Sequence, residues 1–308
     1  MRPQMPKWWL ILVAAAMVLG LLPAANGAFE IIRPVEFPVI LPLNEQVIRI
    51  PLTSTRASGP QHLTLKATLY LPNGAGPFPL VVLSHGTLRG QSPRVSQKRF
   101  RYEAQSWEFV TLGCAVVIPM RRGFGDSGGD YAEDDGPCEA SRFYEAGLES
   151  AKDLMATVRF MASQPFIDQG KIILVGHSTG GFACLALASQ GFPGLRGVIN
   201  FAGGRGSMQE KNCSPARLIE ACAKYGRTTR VPTLWIYAQN DTYFPPWLAR
   251  EMCQAFQAAG GKAQLVMLPA FEQEGHTLFT ERHGLALWSP LVSRFIFGLG
   301  LWWMAPIP

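Results

Sequence analysis

The chain has 308 residues, enough for one large domain or two small ones. Its 48% hydrophobic and 16% charged residues describe a globular protein with a sizeable core and exclude a disordered one. The net charge of +6 falls to +4 without Arg2 and Lys7, and the densest basic run, Lys98-Arg99-Phe100-Arg101, reads as a solvated helix face, so no nucleic-acid partner is expected.

Residues 1–27 read as a signal peptide. Arg2 and Lys7 form a basic start, Trp8 to Leu22 is an apolar run of 15 residues, and Ala25 and Gly27 stand at −3 and −1 of a cut before Ala28. An uncleaved anchor would want nearer ~20 apolar residues. The expectation is a secreted or periplasmic protein with no stable membrane insertion once the signal is removed. Residues 28–46 carry Pro34, Pro38 and Pro42 and are expected to be an extended N-terminal segment.

From residue 47 onward the pattern is regular. Val47–Leu52 and His62–Leu71 look like antiparallel strands, and in the second Leu63, Leu65, Ala67, Leu69 and Leu71 alternate with polar residues, which predicts one buried face. Phe78–Ser84 is a continuous apolar run, as in a strand buried on both faces. A helix over Ser96–Leu112, a strand over Cys114–Pro119 and a Gly-rich loop over 121–129 follow. A long amphipathic helix covers Glu139–Ala162. Lys171–Val175 is a strand that runs into Gly176-His177-Ser178-Thr179-Gly180-Gly181, and a helix-like segment follows to Gln190. Gly197–Phe201 is another strand. Residues 203–230 break the repeat, hold a helical stretch at Pro215–Lys224, and are expected as a small cap. Val231–Ala238 (strand), Pro245–Ala259 (helix), Lys262–Leu268 (strand) and Leu285–Phe297 (helix) complete the chain, with an apolar tail at Leu301–Met304. Strands alternating with helices after two leading strands predict one α/β domain over 47–308 with a mostly parallel sheet and helices on both faces.

Six cysteines follow the signal: Cys114, Cys138, Cys184, Cys213, Cys222 and Cys253. An oxidising compartment permits disulfides, and Cys213 with Cys222, nine apart in a loop-rich region, is the pairing that spacing offers. No C-x-x-C pattern occurs and the histidines lack zinc-like spacing, so no metal site is expected.

The stretch around Ser178 carries chemistry. A nucleophilic serine at a sharp strand-to-helix turn is strained, so its neighbours two residues away on each side need to be nearly free of side chains. Gly176 and Gly180 meet that need. A serine hydroxyl also needs a base, and the base needs an acid to fix its tautomer. In this kind of sheet the acid and then the histidine come later, at strand ends. Asp241 follows the strand ending at Ala238, and His276 ends the loop after Leu268. Of the other histidines, His62 lies in an early strand, His85 and His177 precede Ser178, and His283 reads as a surface residue at the start of the last helix. Glu272 and Glu274 compete with Asp241 as the acid but stand too near His276 to come from another strand end. The backbone N–H groups of Thr179 and Thr87 are the candidate oxyanion donors, with Gly86 allowing the turn. Phe124, Tyr243, Phe244, Phe279 and Trp288 are pocket or core residues; the sequence does not separate the two.

These motifs, with the leading strand pair, His85-Gly86, Arg122-Gly123-Phe124-Gly125-Asp126-Ser127 and Gly275-His276, resemble the α/β-hydrolase superfamily over residues 47–298. Within it the chain is similar to the dienelactone hydrolase and prolyl-oligopeptidase-like catalytic-domain group. The resemblance implies a serine hydrolase needing no cofactor, acting on a small-molecule ester or a short peptide, and implies a structural turn role for Asp126. Ser178 stands where dienelactone hydrolases carry cysteine, which puts a dienelactone substrate in doubt. Only residues 28–46 separate the signal from the first strand, so gating by a β-propeller is not expected. Cleavage of carboxylic esters through an acyl-enzyme is the leading expectation. A peptidase or amidase is the alternative, and a non-catalytic binding protein on the same fold is the third reading.

Overall fold

The computed structural model describes residues 43–301 apart from 57–58, 89–90 and 210. The expected signal at 1–27, residues 28–42 of the extended segment and the tail from 302 lie outside the described residues. Asn44–Arg56 (β1) and Gly59–Leu71 (β2) pair antiparallel along their whole length. Phe78–Ser84 (β3), Ala115–Pro119 (β4), Ile167–His177 (β5), Leu195–Phe201 (β6), Thr233–Ala238 (β7) and Ala263–Leu268 (β8) complete one eight-stranded sheet. The strand order is β1-β2-β4-β3-β5-β6-β7-β8. Within this sheet, among the described residues, only the β1–β2 and β2–β4 pairings are antiparallel. This is the α/β-hydrolase fold, with two antiparallel leading strands on a parallel sheet.

Helices cover both faces, which is why β3, β4 and β7 are buried at every residue. The helices are Gln91–Val95 (α1), Glu103–Thr111 (α2), Phe143–Ala162 (α3), Thr179–Gln190 (α4), Pro215–Gly226 (α5), Pro246–Ala258 (α6) and Leu285–Gly298 (α7). Side chains alternate across the pleat and so divide the core in two. Leu80, Val82, Leu174 and Trp235 pack against Leu154, Phe182, Leu218 and Phe256 from α3, α4, α5 and α6. Val81, Leu83, Val175 and Ile236 pack against Phe109 of α2 and Trp288, Val292 and Ile296 of α7.

Several local expectations are corrected. The helix expected over 96–112 begins only at Glu103. Arg99 and Arg101 do not form a solvated helix face. They reach Glu45 of β1 at 2.5 and 2.8 Å, and the Thr68 hydroxyl donates to the Phe100 carbonyl at 2.6 Å. These bonds hold 96–102 as a non-helical strap against β2. The strap and α2 bury Thr68 and Tyr70, on the face that alternation had assigned to solvent. The long third helix likewise starts at Phe143, after a 3-10 turn at Cys138–Ala140.

The segment 203–230 is not a separate cap. Its helix, α5, is the crossover between β6 and β7 and lies in the same layer as α3, α4 and α6. Gly204 to Ser207, before α5, line the cavity at the strand ends. The disulfide is Cys138–Cys213, not Cys213–Cys222. Cys222 is buried in the core on α5, whereas Cys213 lies before the helix, with its Cα 5.0 Å from that of Cys138.

A buried ionic cluster ties the same two segments together. Arg121, just past β4, donates from Nε to Glu133 at 2.5 Å. Arg205, just past β6, bonds the other Glu133 oxygen and also reaches Asp135 at 3.1 Å. Arg121, Glu133 and Arg205 are almost wholly buried. Burial alone would raise the Glu133 pKa, but the two guanidiniums outweigh it and hold the carboxyl down to about 2. A neighbouring pair, Arg122 with Asp153 at 2.6 Å, fixes the base of the Gly-rich loop to α3.

Two outcomes are expected. Replacing Cys138 and Cys213 by serine should cost about 2–4 kcal/mol in urea unfolding; an unchanged midpoint would show that the bond adds nothing to stability. Glu133→Gln leaves two buried guanidiniums short of a charge partner and should cost about 3–5 kcal/mol at pH 7. The Glu133 pKa lies below its ordinary value of 4.5, so its contribution is full above that pH and is lost as pH falls toward about 2. The stability gap between wild type and variant should therefore close over that window, and a gap constant with pH would contradict an ionised Glu133.

Candidate active site

The elbow is built by close backbone contact. Ser178 has φ 57° and ψ −127°, outside the regions that side chains favour. A Cβ on Gly176 would stand 2.3 Å from the Gly180 carbonyl oxygen, and one on Gly180 would stand 2.1 Å from the Ser84 carbonyl oxygen. Any larger residue at either position would push β5, α4 and β3 apart. The Ser178 backbone is held from both sides: its N–H donates to Phe201 at 2.9 Å, and its carbonyl accepts from Phe182 and Gly204 at 3.2 Å. Ser178 thus sits at the start of α4, beside the helix's positive end.

Asp241 and His276 come together as their strand ends required. The Asp241 Oδ1 accepts backbone N–H bonds from Tyr243 at 2.9 Å and Phe244 at 2.8 Å. Its Oδ2 accepts from His276 Nδ1 at 3.2 Å. A carboxylate can only accept, so Nδ1 is the nitrogen that donates in this bond. Ser178 and His276 line one cavity of about 450 Å³, together with Gly86, Thr87, Thr179, Tyr243 and Phe244. The His276 ring is stacked on Tyr243, with centroids 4.4 Å apart, and tilted against His177 at 4.8 Å.

Thr87 and Thr179 also meet there. Their hydroxyls bond each other at 2.7 Å. A Cβ on Gly86 would lie 3.2 Å from that of Ser178, so the turn after β3 runs directly beside the elbow. His85 accepts the Arg121 N–H at Nε2 and donates Nδ1–H to the Gly86 carbonyl at 2.7 Å. Burial, followed by the Arg121 charge, pushes its pKa well down, so it is a neutral structural ring.

Two site residues escaped the sequence reading. By sequence Glu274 stands only as a rival to Asp241 for the acid. It instead accepts from the backbone N–H groups of Thr242 at 3.0 Å and His276 at 2.9 Å, and from the Thr242 hydroxyl. One carboxylate thereby clamps the Asp241 loop to the His276 loop. Burial raises its pKa, but the Thr242 hydroxyl and the two N–H groups together lower it. A Glu two residues before a loop histidine was the available signal. The second is His177, whose Nε2–H donates to the His276 carbonyl at 2.8 Å. Burial and then His276 push its pKa down to about 3, so it supports the loop as a neutral donor.

The remaining candidates divide clearly. Tyr243 and Phe244 line the cavity, while Phe124, Phe279 and Trp288 are core. Phe100, Tyr102 and Tyr131 line it unannounced, the first two because 96–102 is a strap. Asp126 is an exposed partner of Lys66, and His283 is an exposed partner of Glu272. Among the described residues no group of three or more His, Cys, Asp or Glu is placed to hold a metal ion.

The sequence pattern of the X-Pro dipeptidyl-peptidase (S15) family matches residues 61–226, more than half of the chain. No curated protein matches it. Among solved structures, an esterase from Pyrococcus furiosus is 14% identical, with a TM-score of 0.57 over 83% of this chain and 90% of that one. An acylaminoacyl peptidase from Pyrococcus horikoshii is 15% identical, with a TM-score of 0.60 over 86% of this chain but only 43% of its own. Dipeptidyl peptidase 4 from Porphyromonas gingivalis is 15% identical, with a TM-score of 0.59 over 83% of this chain and 35% of its own. The chain thus spans less than half the length of either peptidase. At such identities these likenesses speak to the fold, and the family match speaks to descent. The chain belongs to the X-Pro dipeptidyl-peptidase (S15) family and is a hydrolytic enzyme of the α/β-hydrolase fold.

Proposed function

We propose that the protein is a serine hydrolase that cleaves carboxylic esters through an acyl-enzyme. The observation that carries this reading is the Asp241–His276 bond at 3.2 Å in the cavity that Ser178 lines. Ser178 Oγ attacks the carbonyl carbon as His276 Nε2 takes its proton, and Asp241 stabilises the imidazolium. The oxyanion is met by the backbone N–H groups of Thr179 and Thr87. His276 returns the proton to the leaving alcohol. Water, activated the same way, releases the acid. The half-apolar wall of Phe100, Tyr102, Tyr243 and Phe244 suits a small acyl or aryl group.

The family match favours a second reading, in which the same three residues cut a peptide bond. Amide cleavage asks more of the proton delivered to the leaving nitrogen. We also infer export, on the pattern at 1–27 and on the Cys138–Cys213 disulfide, which suits an oxidising compartment.

Ser178→Ala should abolish labelling by a fluorophosphonate probe and lower ester turnover by roughly 10⁴–10⁶-fold; a variant that keeps near wild-type turnover removes Ser178 from the mechanism. In a panel of p-nitrophenyl esters and aminoacyl- or X-Pro-anilides, the esters should show the higher kcat/KM, and the reverse ranking would establish the peptidase. N-terminal sequencing of exported protein should begin at Ala28. Protein retained in the cytosol with residues 1–27 intact would end the export reading.

A further inference from the structure

We propose that Arg121 is a positioning residue of the oxyanion site, a guanidinium that holds the two oxyanion donors in register from behind. The inference rests on the assignment of Thr179 and Thr87 above and adds the element that fixes their separation.

Those two residues belong to different parts of the chain. Thr87 follows β3 and Thr179 opens α4; the pairing of β3 with β5 brings the two turns side by side, and the bonds between their side chains must fix the remaining offset of the N–H groups. Arg121 touches both. Its Nη2 donates to the Thr179 hydroxyl at 3.2 Å and to the Thr87 hydroxyl at 3.3 Å. The two hydroxyls bond each other at 2.7 Å, closing a three-membered polar contact. On the Thr87 side the grip continues along the backbone. Nη1 donates to the His85 carbonyl at 2.5 Å and to the Ser84 hydroxyl at 2.9 Å. The Arg121 backbone N–H donates to the His85 ring at 3.1 Å. The turn that carries Thr87 is therefore bonded to Arg121 at four points.

The guanidinium is itself closely held. It is fully buried, and Glu133 takes its Nε–H at 2.5 Å. Glu133 is in turn pinned by Arg205 and by the Ser150 hydroxyl at 2.9 Å. A planar fork with five donors can serve these acceptors at once; the point charge of a lysine cannot. Burial means that Arg121 does not touch substrate. It acts by keeping two donors aimed at one point, and a donor displaced by a fraction of an ångström loses much of its value to the transition state. The effect should thus fall on kcat and spare KM.

The test is Arg121→Lys, with Thr179→Val as a second variant that removes one hydroxyl and leaves the backbone N–H in place. Ester kinetics are measured alongside affinity for a boronic acid, which mimics the tetrahedral intermediate. Each variant should lose about tenfold to a hundredfold in kcat with KM within about twofold, and boronate affinity should fall by a similar factor. The double variant should lose little more than the worse single one, since both break one linkage. Folded Arg121→Lys with wild-type kcat overturns the inference. So does a loss that Thr179→Val fails to share, or one that appears in KM alone. Should Arg121→Lys not fold, the kcat and boronate readings on Thr179→Val decide the matter in the same way. Ser178→Ala keeps the two ideas apart: if it stays active the nucleophile assignment fails, whereas an inactive Ser178→Ala beside an unaffected Arg121→Lys removes the positioning role alone.

Discussion

Contact between backbones, with no side chain intervening, is the constraint on which the rest of this molecule depends. Strand β5 ends and α4 begins within a few residues, and the start of α4 is pressed against the end of β3. That approach forces Ser178 to a positive φ. Such a conformation costs of order 1–3 kcal/mol and lasts only where the surroundings over-determine it. Here the surroundings are the fully buried β3 on one side of β5, the largely buried β6 on the other, and an α4 that is apolar nearly all round. The sheet core therefore does more than stabilise the fold. It holds one strained residue at the open end of the strands.

The walls of the cavity follow a different logic from its floor. The floor is the strand-end turns with Ser178, which rest on the apolar packing of both halves of the core. The walls are loops, which carry Phe100, Tyr102 and Tyr243 toward the cavity but are not fixed by sheet pairing. This protein joins them with charge: Arg121, Glu133, Arg205 and Asp135 on one side, and Glu274 between the two loops on the other. Buried ion pairs add little net stability because desolvation consumes most of their attraction. What they contribute is geometry, since each partner has few alternative places to go.

The fold and the elbow were legible in the sequence because both rest on local chemistry. Continuous apolar runs gave the buried strands, and the spacing of Gly176 and Gly180 around Ser178 gave the turn. Asp241 and His276 stood out because each follows its own strand. What could not be read depends on partners far away in the chain. Arg99 and Arg101 leave the helical path for Glu45, more than fifty residues earlier. Cys138 pairs across a separation of 75 residues. Glu133 looks like any loop carboxylate until Arg121 and Arg205 are placed beside it. The corrected strap at 96–102 matters most for function, since it brings Phe100 and Tyr102 to the cavity.

The position of the disulfide has a topological consequence. The covalent loop from Cys138 to Cys213 encloses α3, β5, α4 and β6, and so contains the whole elbow with the strand on each side of it. A single backbone cut anywhere inside that loop leaves both fragments attached through sulfur. A cut outside it, between β7 and His276 for example, releases the histidine segment with only non-covalent ties. The chain is thus divided into a part that tolerates a nick and a part that does not, and the nucleophile and the histidine fall on opposite sides of that division.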